Sequence, residues 1–188
     1  MTIIQMTEKL RNTLEPKRFA HSVNVMNTAI KLAEYHGADI EKAGIAGLLH
    51  DCAKNYPKDE LYSLCSKFGV ELDDVAKKEA GLIHGIVGAH LLKDEYEVDD
   101  AEIFDAVYYH TIGKPDMPLL TKIIFIADCI EPMRKAPWVD DVRRAVYDDI
   151  DKALIIQLDN TISSVLRKGT LLHTNTVDTR NFYIEQMR

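Results

Sequence analysis

Residues 46–54 read Ala-Gly-Leu-Leu-His-Asp-Cys-Ala-Lys, a short apolar run that leads directly into the polar pair His50-Asp51. Histidine and aspartate are rarely kept inside a core unless they are paired or bind a cation. Gly47 lies in this stretch and Gly44 just before it, and glycine is costly inside a helix unless another element packs closely against it. The stretch therefore predicts a tightly packed helix that presents two metal-capable side chains at the edge of a core.

Four further metal-capable residues lie in or beside apolar, helix-like runs: His21, His84, His110 and Asp128. Any one histidine on a helix is usually an ordinary core or surface residue. Six such residues, all within the core pattern, instead favour one shared centre that holds a cation. A purely structural helical bundle would have to bury these polar groups without a partner.

The types of these residues indicate the kind of metal. His21, His50, Asp51 and Asp128 form a mixed nitrogen and oxygen set, which suits a roughly octahedral Fe, Mn, Co or Mg ion with open positions. A closed structural zinc site is a poor match. Two alternatives stay open for the other two histidines. They bind a second ion bridged through Asp51, or they contact phosphate as donors or as a general acid.

Almost every segment repeats its apolar residues at helical period, and no run alternates at period two for long enough to be a strand. We therefore predict one all-α domain. The pattern predicts a helix from Ile40 to about Lys54, a short helix near Asp73–Glu79, and a last helix that begins at about Asp178. Between Thr170 and Asn175 it predicts a polar turn.

Composition excludes several classes of protein. The 188 residues carry a formal net charge of −7, without the basic stripe of a nucleic-acid binder. Cys52, Cys65 and Cys129 show no CxxC spacing, so we expect buried free thiols in a reducing cytosol. The N-terminus is too polar for a signal peptide, and the longest apolar run is too short to span a bilayer. We predict a cytoplasmic protein with neither nucleic-acid nor membrane partners, and exposed apolar helix faces make us expect a homodimer.

The order of His21, His50-Asp51 and Asp128 resembles that of the HD-domain metal-dependent phosphohydrolases. A closer and nearly end-to-end resemblance is to the YqeK family of bacterial HD proteins. It rests on three segments: KRFAHSVNVMNTAIKLA at 17–33, AGLLHDCAK at 46–54, and YHTIGKPDMPLLTKIIFIADCIEPMR at 109–134. The resemblance implies an HD-type helical bundle with a core over about residues 17–135, and C-terminal helices over about 139–188 that complete the site.

The resemblance also implies an activity, a cofactor and contacts with the substrate. The activity is symmetrical hydrolysis of diadenosine tetraphosphate and related dinucleotides to nucleoside diphosphates, with iron or a similar divalent ion at the four ligands named above. His50, Asp51, His84 and His110 are then the expected catalytic residues. The expected substrate contacts are Asn24, Asn27, Asp51, Lys54, His84, His110, Thr111, Arg134, Thr170, His173, Thr174 and Asn175.

Other functions remain open from the sequence alone. The His-Asp pair does not separate a dinucleotide hydrolase from a nucleotidase, a deoxynucleotide triphosphohydrolase, a cyclic-nucleotide phosphodiesterase or an alarmone hydrolase. A non-catalytic, nucleotide-sensing member of the superfamily is a further alternative. That alternative predicts missing or substituted ligands, whereas all six candidate residues are present here.

Overall fold

The computed structural model describes residues 1–188 and consists of ten α-helices, the turns and loops that join them, and no strand. The prediction of an all-α fold is confirmed. The helices are α1 (Ile3–Thr13), α2 (Pro16–His36), α3 (Ile40–Leu49), α4 (Lys58–Lys67), α5 (Ile83–Tyr96), α6 (Ala101–Tyr109), α7 (Leu119–Ile130), α8 (Val139–Asp148), α9 (Ile150–Lys168) and α10 (Thr174–Gln186). A 3₁₀ turn, Ala80–Leu82, precedes α5.

Helix α7 lies at the centre of the main core. It packs against α2, α3, α6, α8 and α9, which explains why it is apolar on nearly every side. Ile123, Ile124 and Ile126 are completely buried. Asp128 lies near the C-terminal end of α7 and is therefore at the rim of this core. None of the ten helices is long and apolar enough to cross a lipid bilayer.

Helix α3 ends at Leu49, five residues earlier than predicted. The chain continues as tight turns, in which the N–H of Cys52 donates to the carbonyl of Leu49 and that of Lys54 to Asp51. Side chains at adjacent helical positions diverge by about 100°. His50 and Asp51 lie in this turn, just beyond the helix, and both side chains reach the same centre.

Two other predicted elements were wrong, and in both a side chain accepts from nearby backbone N–H groups. The expected helix near Asp73–Glu79 is a turn, in which Asp73 accepts from the N–H groups of Val75 and Ala76. The last helix begins at Thr174, four residues before the predicted start, because the ring of His173 accepts from the N–H of Asn175 and caps it. An N-cap histidine is unusual, so the local sequence did not signal this start.

Gly47 sets the distance between α2 and α3. A Cβ atom built on Gly47 would lie 2.9 Å from Cα of Met26, whereas one on Gly44 would meet the flexible end of Ile30 at 3.3 Å. Alanine is otherwise the better helix former by about 1 kcal/mol. Of these two glycines, only Gly47 lies where the backbones of α2 and α3 are in direct contact.

Gly47→Ala is expected to lower the free energy of unfolding by about 1–3 kcal/mol, because overpacking forces α2 and α3 apart. Gly44→Ala is the matched control and is expected to be neutral or slightly stabilising. Chemical denaturation of both variants measures the difference. A Gly47→Ala protein as stable as the wild type would contradict the close-packing argument.

Candidate metal and phosphate site

Four histidines and two aspartates from five different helices or helix ends meet at one buried point. His21 Nε2 lies 3.0 Å from Asp128 Oδ1, and His84 Nε2 lies 2.9 Å from Asp51 Oδ1. His50 Nε2 is 3.6 Å from Asp51 Oδ2, and His110 Nε2 is 3.7 Å from Asp51 Oδ1. The structure thus brings together all six residues that the sequence pattern singled out.

Helix ends orient three of the histidines. In each, Nδ1 lies 2.7–2.8 Å from the carbonyl oxygen of the residue three positions earlier: His50 with Gly47, His84 with Gly81, and His110 with Val107. Gly47 and Val107 lie among the last four residues of their helices, whose carbonyls have no partner within the helix. A carbonyl only accepts, so each Nδ1 carries the proton and each Nε2 presents a lone pair to the centre.

His21 is oriented differently because it lies inside α2, where the neighbouring carbonyls already accept helical hydrogen bonds. Its Nδ1 donates instead to Oε1 of Glu131, at 3.1 Å. The other oxygen of Glu131 accepts from the Asn24 amide at 3.2 Å and from the Met133 N–H at 2.7 Å. Glu131 is only 1% exposed and was not identified from the sequence.

The four histidines and two aspartates present only acceptors to one another at the centre of the site. Four Nε2 lone pairs face two carboxylates, and the Nε2 atoms of His84 and His110 approach each other to 3.1 Å. Those of His21 and His50 are buried without any hydrogen-bond partner. Converging acceptors repel one another unless a cation lies between them. The cluster therefore has the chemistry of a divalent metal site.

Burial and charge keep His50, His84, Asp51 and Asp128 in the ionisation states that metal binding needs. Burial lowers the pKa of both His50 and His84 to about 4, so both are neutral at pH 7. Burial alone would raise the pKa of Asp51, but the histidines around it hold that pKa well below its usual range. The pKa of Asp128 is also lowered, against the effect of burial, by His21, His50 and Arg134.

Two groups of potential ligands share one carboxylate. The first is His21, His50 and Asp51, and the second is Asp51, His84 and His110. Asp128 joins the first group through its contact with His21. The arrangement is compatible with one ion, or with two ions bridged by Asp51.

Three cationic side chains surround the acceptor cluster. Arg18 donates to Asp51 Oδ2 at 2.8 Å, and Arg134 donates to Asp128 Oδ1 at 2.5 Å. Lys54 Nζ lies 3.2 Å from His84 Nε2, and burial lowers the pKa of this lysine. Lys54 and Arg134 were among the predicted phosphate contacts, whereas Arg18 was missed. Its position three residues before His21 is a helical spacing that could have revealed it.

The other predicted substrate contacts differ in their surroundings. The Asn24 amide donates to Glu131, and Asn27 is exposed on α2. Thr111, next to His110, has a buried hydroxyl without a partner. Thr170 and Thr174 are exposed on the chain that leads into α10.

His173 and Asn175 connect the start of α10 to the segments near His84 and His110. His173 Nε2 lies 2.6 Å from Asp73 Oδ2, so both of its ring nitrogens are engaged. Asn175 donates to the carbonyl of Gly113 at 3.4 Å. The predicted nucleotide-contacting segment, residues 170–175, is thereby fixed beside the turn that follows His110.

Glu131→Gln is expected to weaken metal binding by about 10- to 100-fold, the usual effect of removing the partner of a ligating histidine. Glutamine has one acceptor oxygen, whereas Glu131 accepts on both, so an NH₂ group would face either His21 or the donors Asn24 and Met133. Calorimetric titration of the metal-free protein with a divalent ion measures the change.

Glu15→Gln is the matched control, because Glu15 lines a polar cleft together with His21 and Glu131 and makes no side-chain capping bond. It is expected to leave the affinity unchanged. Equal affinities of wild type and Glu131→Gln would show that Glu131 does not position His21.

The HD domain family matches residues 18–133, the part of the chain that carries all six clustered residues. Among curated proteins, a symmetrical bis(5'-nucleosyl)-tetraphosphatase of Bacillus subtilis is 41% identical over 177 residues, covering 93% of this chain and 94% of the relative. A protein of the same name from Staphylococcus aureus is 34% identical, covering 97% and 95%. A crystal structure from Clostridium acetobutylicum, described as a predicted HD superfamily hydrolase involved in NAD metabolism, superimposes with a TM-score of 0.96 at 44% identity, over 99% of this chain and 98% of that one.

The fold and the histidine–aspartate cluster define a metal-dependent hydrolase. The chain belongs to the HD domain family and, within it, to the YqeK family of which the symmetrical tetraphosphatases are members. The resemblance drawn from the three sequence segments is confirmed.

Proposed function

We propose that this chain hydrolyses a dinucleoside tetraphosphate at its central bridge, converting diadenosine tetraphosphate to two molecules of ADP. The relatives in Bacillus and Staphylococcus are named for this activity, and this chain aligns with almost their whole length. The observation that carries the proposal is the buried cluster of acceptors flanked by Arg18, Lys54 and Arg134. Such a site suits a ligand that brings many negative charges to a divalent cation.

The residues that would hold the ion are His21, His50, Asp51 and Asp128. When bound there, a divalent ion polarises phosphoryl oxygens and lowers the pKa of water, which is the chemistry that phosphoanhydride hydrolysis needs. Iron is the metal that the family resemblance implies, with manganese, cobalt and magnesium as alternatives. Metal analysis of the purified protein by mass spectrometry identifies it.

The protein's own cations have a separate role in this proposal. Arg18 and Arg134 hold the two aspartates from outside the cluster, on the side of the polar cleft that both arginines line. Arginine can bind phosphate oxygens through two parallel N–H bonds, so these two side chains would orient the polyphosphate. Lys54, held between His84 and Asp51, would neutralise the phosphate nearest the second histidine pair.

The tautomers of His84 and His110 help to decide whether this pair holds a second ion or donates directly to phosphate. Both donate from Nδ1 to carbonyls, so each Nε2 has a lone pair and can donate to phosphate only after taking up a proton. A pKa of about 4 opposes that protonation at His84. These observations favour the reading that His84 and His110 would hold a second ion together with Asp51, over a direct donor role.

A substrate panel with product analysis tests the proposal. Diadenosine tetraphosphate is expected to give ADP alone, in two equivalents. Release of inorganic triphosphate from deoxynucleotides would identify a triphosphohydrolase, and phosphate release from mononucleotides would identify a nucleotidase. Nucleotide binding without turnover in metal-replete buffer would support the non-catalytic alternative.

The cellular setting and the assembly form part of the same proposal. Three free, buried cysteines fit a reducing cytoplasm, where nucleotides of this kind would be available as substrates. A homodimer is expected from the exposed apolar helix faces, and light scattering of the purified protein measures its mass.

A further inference from the structure

A cavity of about 470 Å³ is lined by both Asp128, a proposed metal ligand, and Trp138, the only tryptophan of the chain. We infer that this tryptophan cavity binds one nucleoside of the dinucleotide, with its base stacked on the indole ring. The inference rests on the proposed function and adds to it the place of one base. The volume lies within the range of roughly 300–1,000 Å³ that small-molecule sites occupy.

The two cavities beside Asp128 differ in chemistry. The polar cleft described above is lined by Lys17, Arg18 and Arg134 and contains one hydrophobic residue, Met133. In the tryptophan cavity, by contrast, half of the ten lining residues are hydrophobic. Met133 and Arg134 line both, so the cavities adjoin. A polyphosphate suits the first surface, and the flat apolar face of a base suits the second.

Symmetrical cleavage requires one base on each side of the metal centre. The scissile bridge is in the middle of the substrate, so each half is a nucleoside with two phosphates. Residues 170–175, the predicted nucleotide contacts, are fixed beside Gly113 and Asp73, on the side of His84 and His110. The tryptophan cavity lies on the side of Asp128 and Arg134, where the sequence suggested no base contact.

Trp138 is a rigid platform for a base. It is the N-cap residue of α8, and its carbonyl accepts from the N–H groups of Asp141 and Val142. Its side chain is half-buried and packs against the main core, so little conformational entropy remains to be lost on stacking. Base–aromatic stacking of this kind contributes substantially and does not depend on which base is present.

Gln157 supplies a polar partner in the same cavity. The Gln157 amide donates from Nε2 to the carbonyl of Phe125 at 2.8 Å, and its Oε1 is buried without a hydrogen-bond partner. An unpaired buried acceptor is unfavourable unless a ligand or water satisfies it. The exocyclic amino group of a purine can donate a hydrogen bond to this oxygen.

Another cavity of similar size shows what an unsuitable site looks like. It is lined by Phe68 and Phe104 but also by Asp94, Asp99 and Asp100, with His90 and Lys93 as its basic residues. An acidic lining repels a polyphosphate, and none of the six clustered residues reaches it. The tryptophan cavity combines an aromatic lining residue with basic residues beside a proposed metal ligand. The acidic cavity does not.

The first experiment uses the unmodified protein. Trp138 is the only indole, so its fluorescence reports this cavity alone. Titration of the metal-loaded protein with a diadenosine tetraphosphate analogue that has a methylene group at the central bridge is expected to quench the emission as the analogue binds. Calorimetry on the same samples establishes saturation. Unchanged emission at saturation would overturn the inference.

The second experiment measures turnover. Trp138→Ala is expected to raise KM for diadenosine tetraphosphate by about 10-fold or more, with a smaller effect on kcat, because one stacked base is lost. Trp138→Phe keeps an aromatic face and is expected to stay within about three-fold of wild type. Tyr147→Ala removes an exposed aromatic residue elsewhere on α8, where Tyr147 contacts only Tyr35 among aromatic rings, and is the matched control.

Failure of this inference is distinguishable from failure of the proposed function. If wild type releases no ADP from diadenosine tetraphosphate, the proposed function is wrong. If wild type turns over normally and Trp138→Ala has the KM of the control variant, only the nucleoside site is wrong. Thermal unfolding of each variant establishes that it is folded, and the fluorescence result needs no variant.

Discussion

Asp51→Asn is expected to lower the rate of dinucleotide hydrolysis by roughly 10³-fold or more, beyond the ~10–100-fold that loss of an outer partner costs. Asp51 is 3% exposed and belongs to both potential ligand groups. Asparagine has nearly the same shape, but it removes the negative charge and one acceptor oxygen. That oxygen faces either Arg18 or the pair His84 and His110, so the amide loses either the bond from Arg18 or the oxygen that would help to hold an ion beside the two histidines.

A matched control for this variant is Asp105→Asn. Asp105 is partly buried and accepts from Lys114 and Thr121, away from the clustered histidines. It is expected to retain turnover. Steady-state kinetics with saturating metal and a circular dichroism spectrum compare the three proteins. Near-normal kcat in a folded Asp51→Asn protein would rule out the proposed role of this carboxylate.

Removal of the metal is expected to lower the melting temperature by about 8–16 °C. An ion present at about 1,000 times its dissociation constant stabilises the native state by about 4 kcal/mol. For a chain of this length each kcal/mol corresponds to about 2–4 °C. Thermal unfolding before and after treatment with a chelator measures the shift, and restoring the ion should reverse it.

The metal-free protein should nevertheless remain folded. Arg18 and Arg134 place positive charge on Asp51 and Asp128, so the two carboxylates are partly compensated without the ion. Asp51→Asn, which loses a ligand, should show a much smaller thermal shift on chelation than wild type. A shift as large as that of the wild type would place the stabilising ion elsewhere.

The sequence predicted the helices and the six clustered residues because both leave local signals. Helical period is visible in any window, and a histidine or aspartate that follows an apolar run, as Asp128 does, stands out from it. The early end of α3 was not predictable in this way, since no proline or glycine follows Leu49 before Pro57. That end depends on turns in which His50 takes the carbonyl of Gly47.

The residues that sequence reasoning missed act across long separations. Glu131 and His21 are 110 residues apart, and Arg18 and Asp51 are 33 apart. Glu131 precedes Pro132 just after α7, a position that resembles an ordinary helix end. Its role as an acceptor for His21 depends on the packing of α2 against α7, which no local pattern encodes.

The two ways of orienting the site histidines also determine how the protein tolerates random substitution. Backbone carbonyls hold His50, His84 and His110, and a change of side chain at Gly47, Gly81 or Val107 leaves a carbonyl in the chain. His21 depends on a side chain, which a single nucleotide change in the codon for Glu131 can remove. Among the contacts that orient these four rings, the one between α2 and the end of α7 is therefore the one that depends on a side chain at both ends.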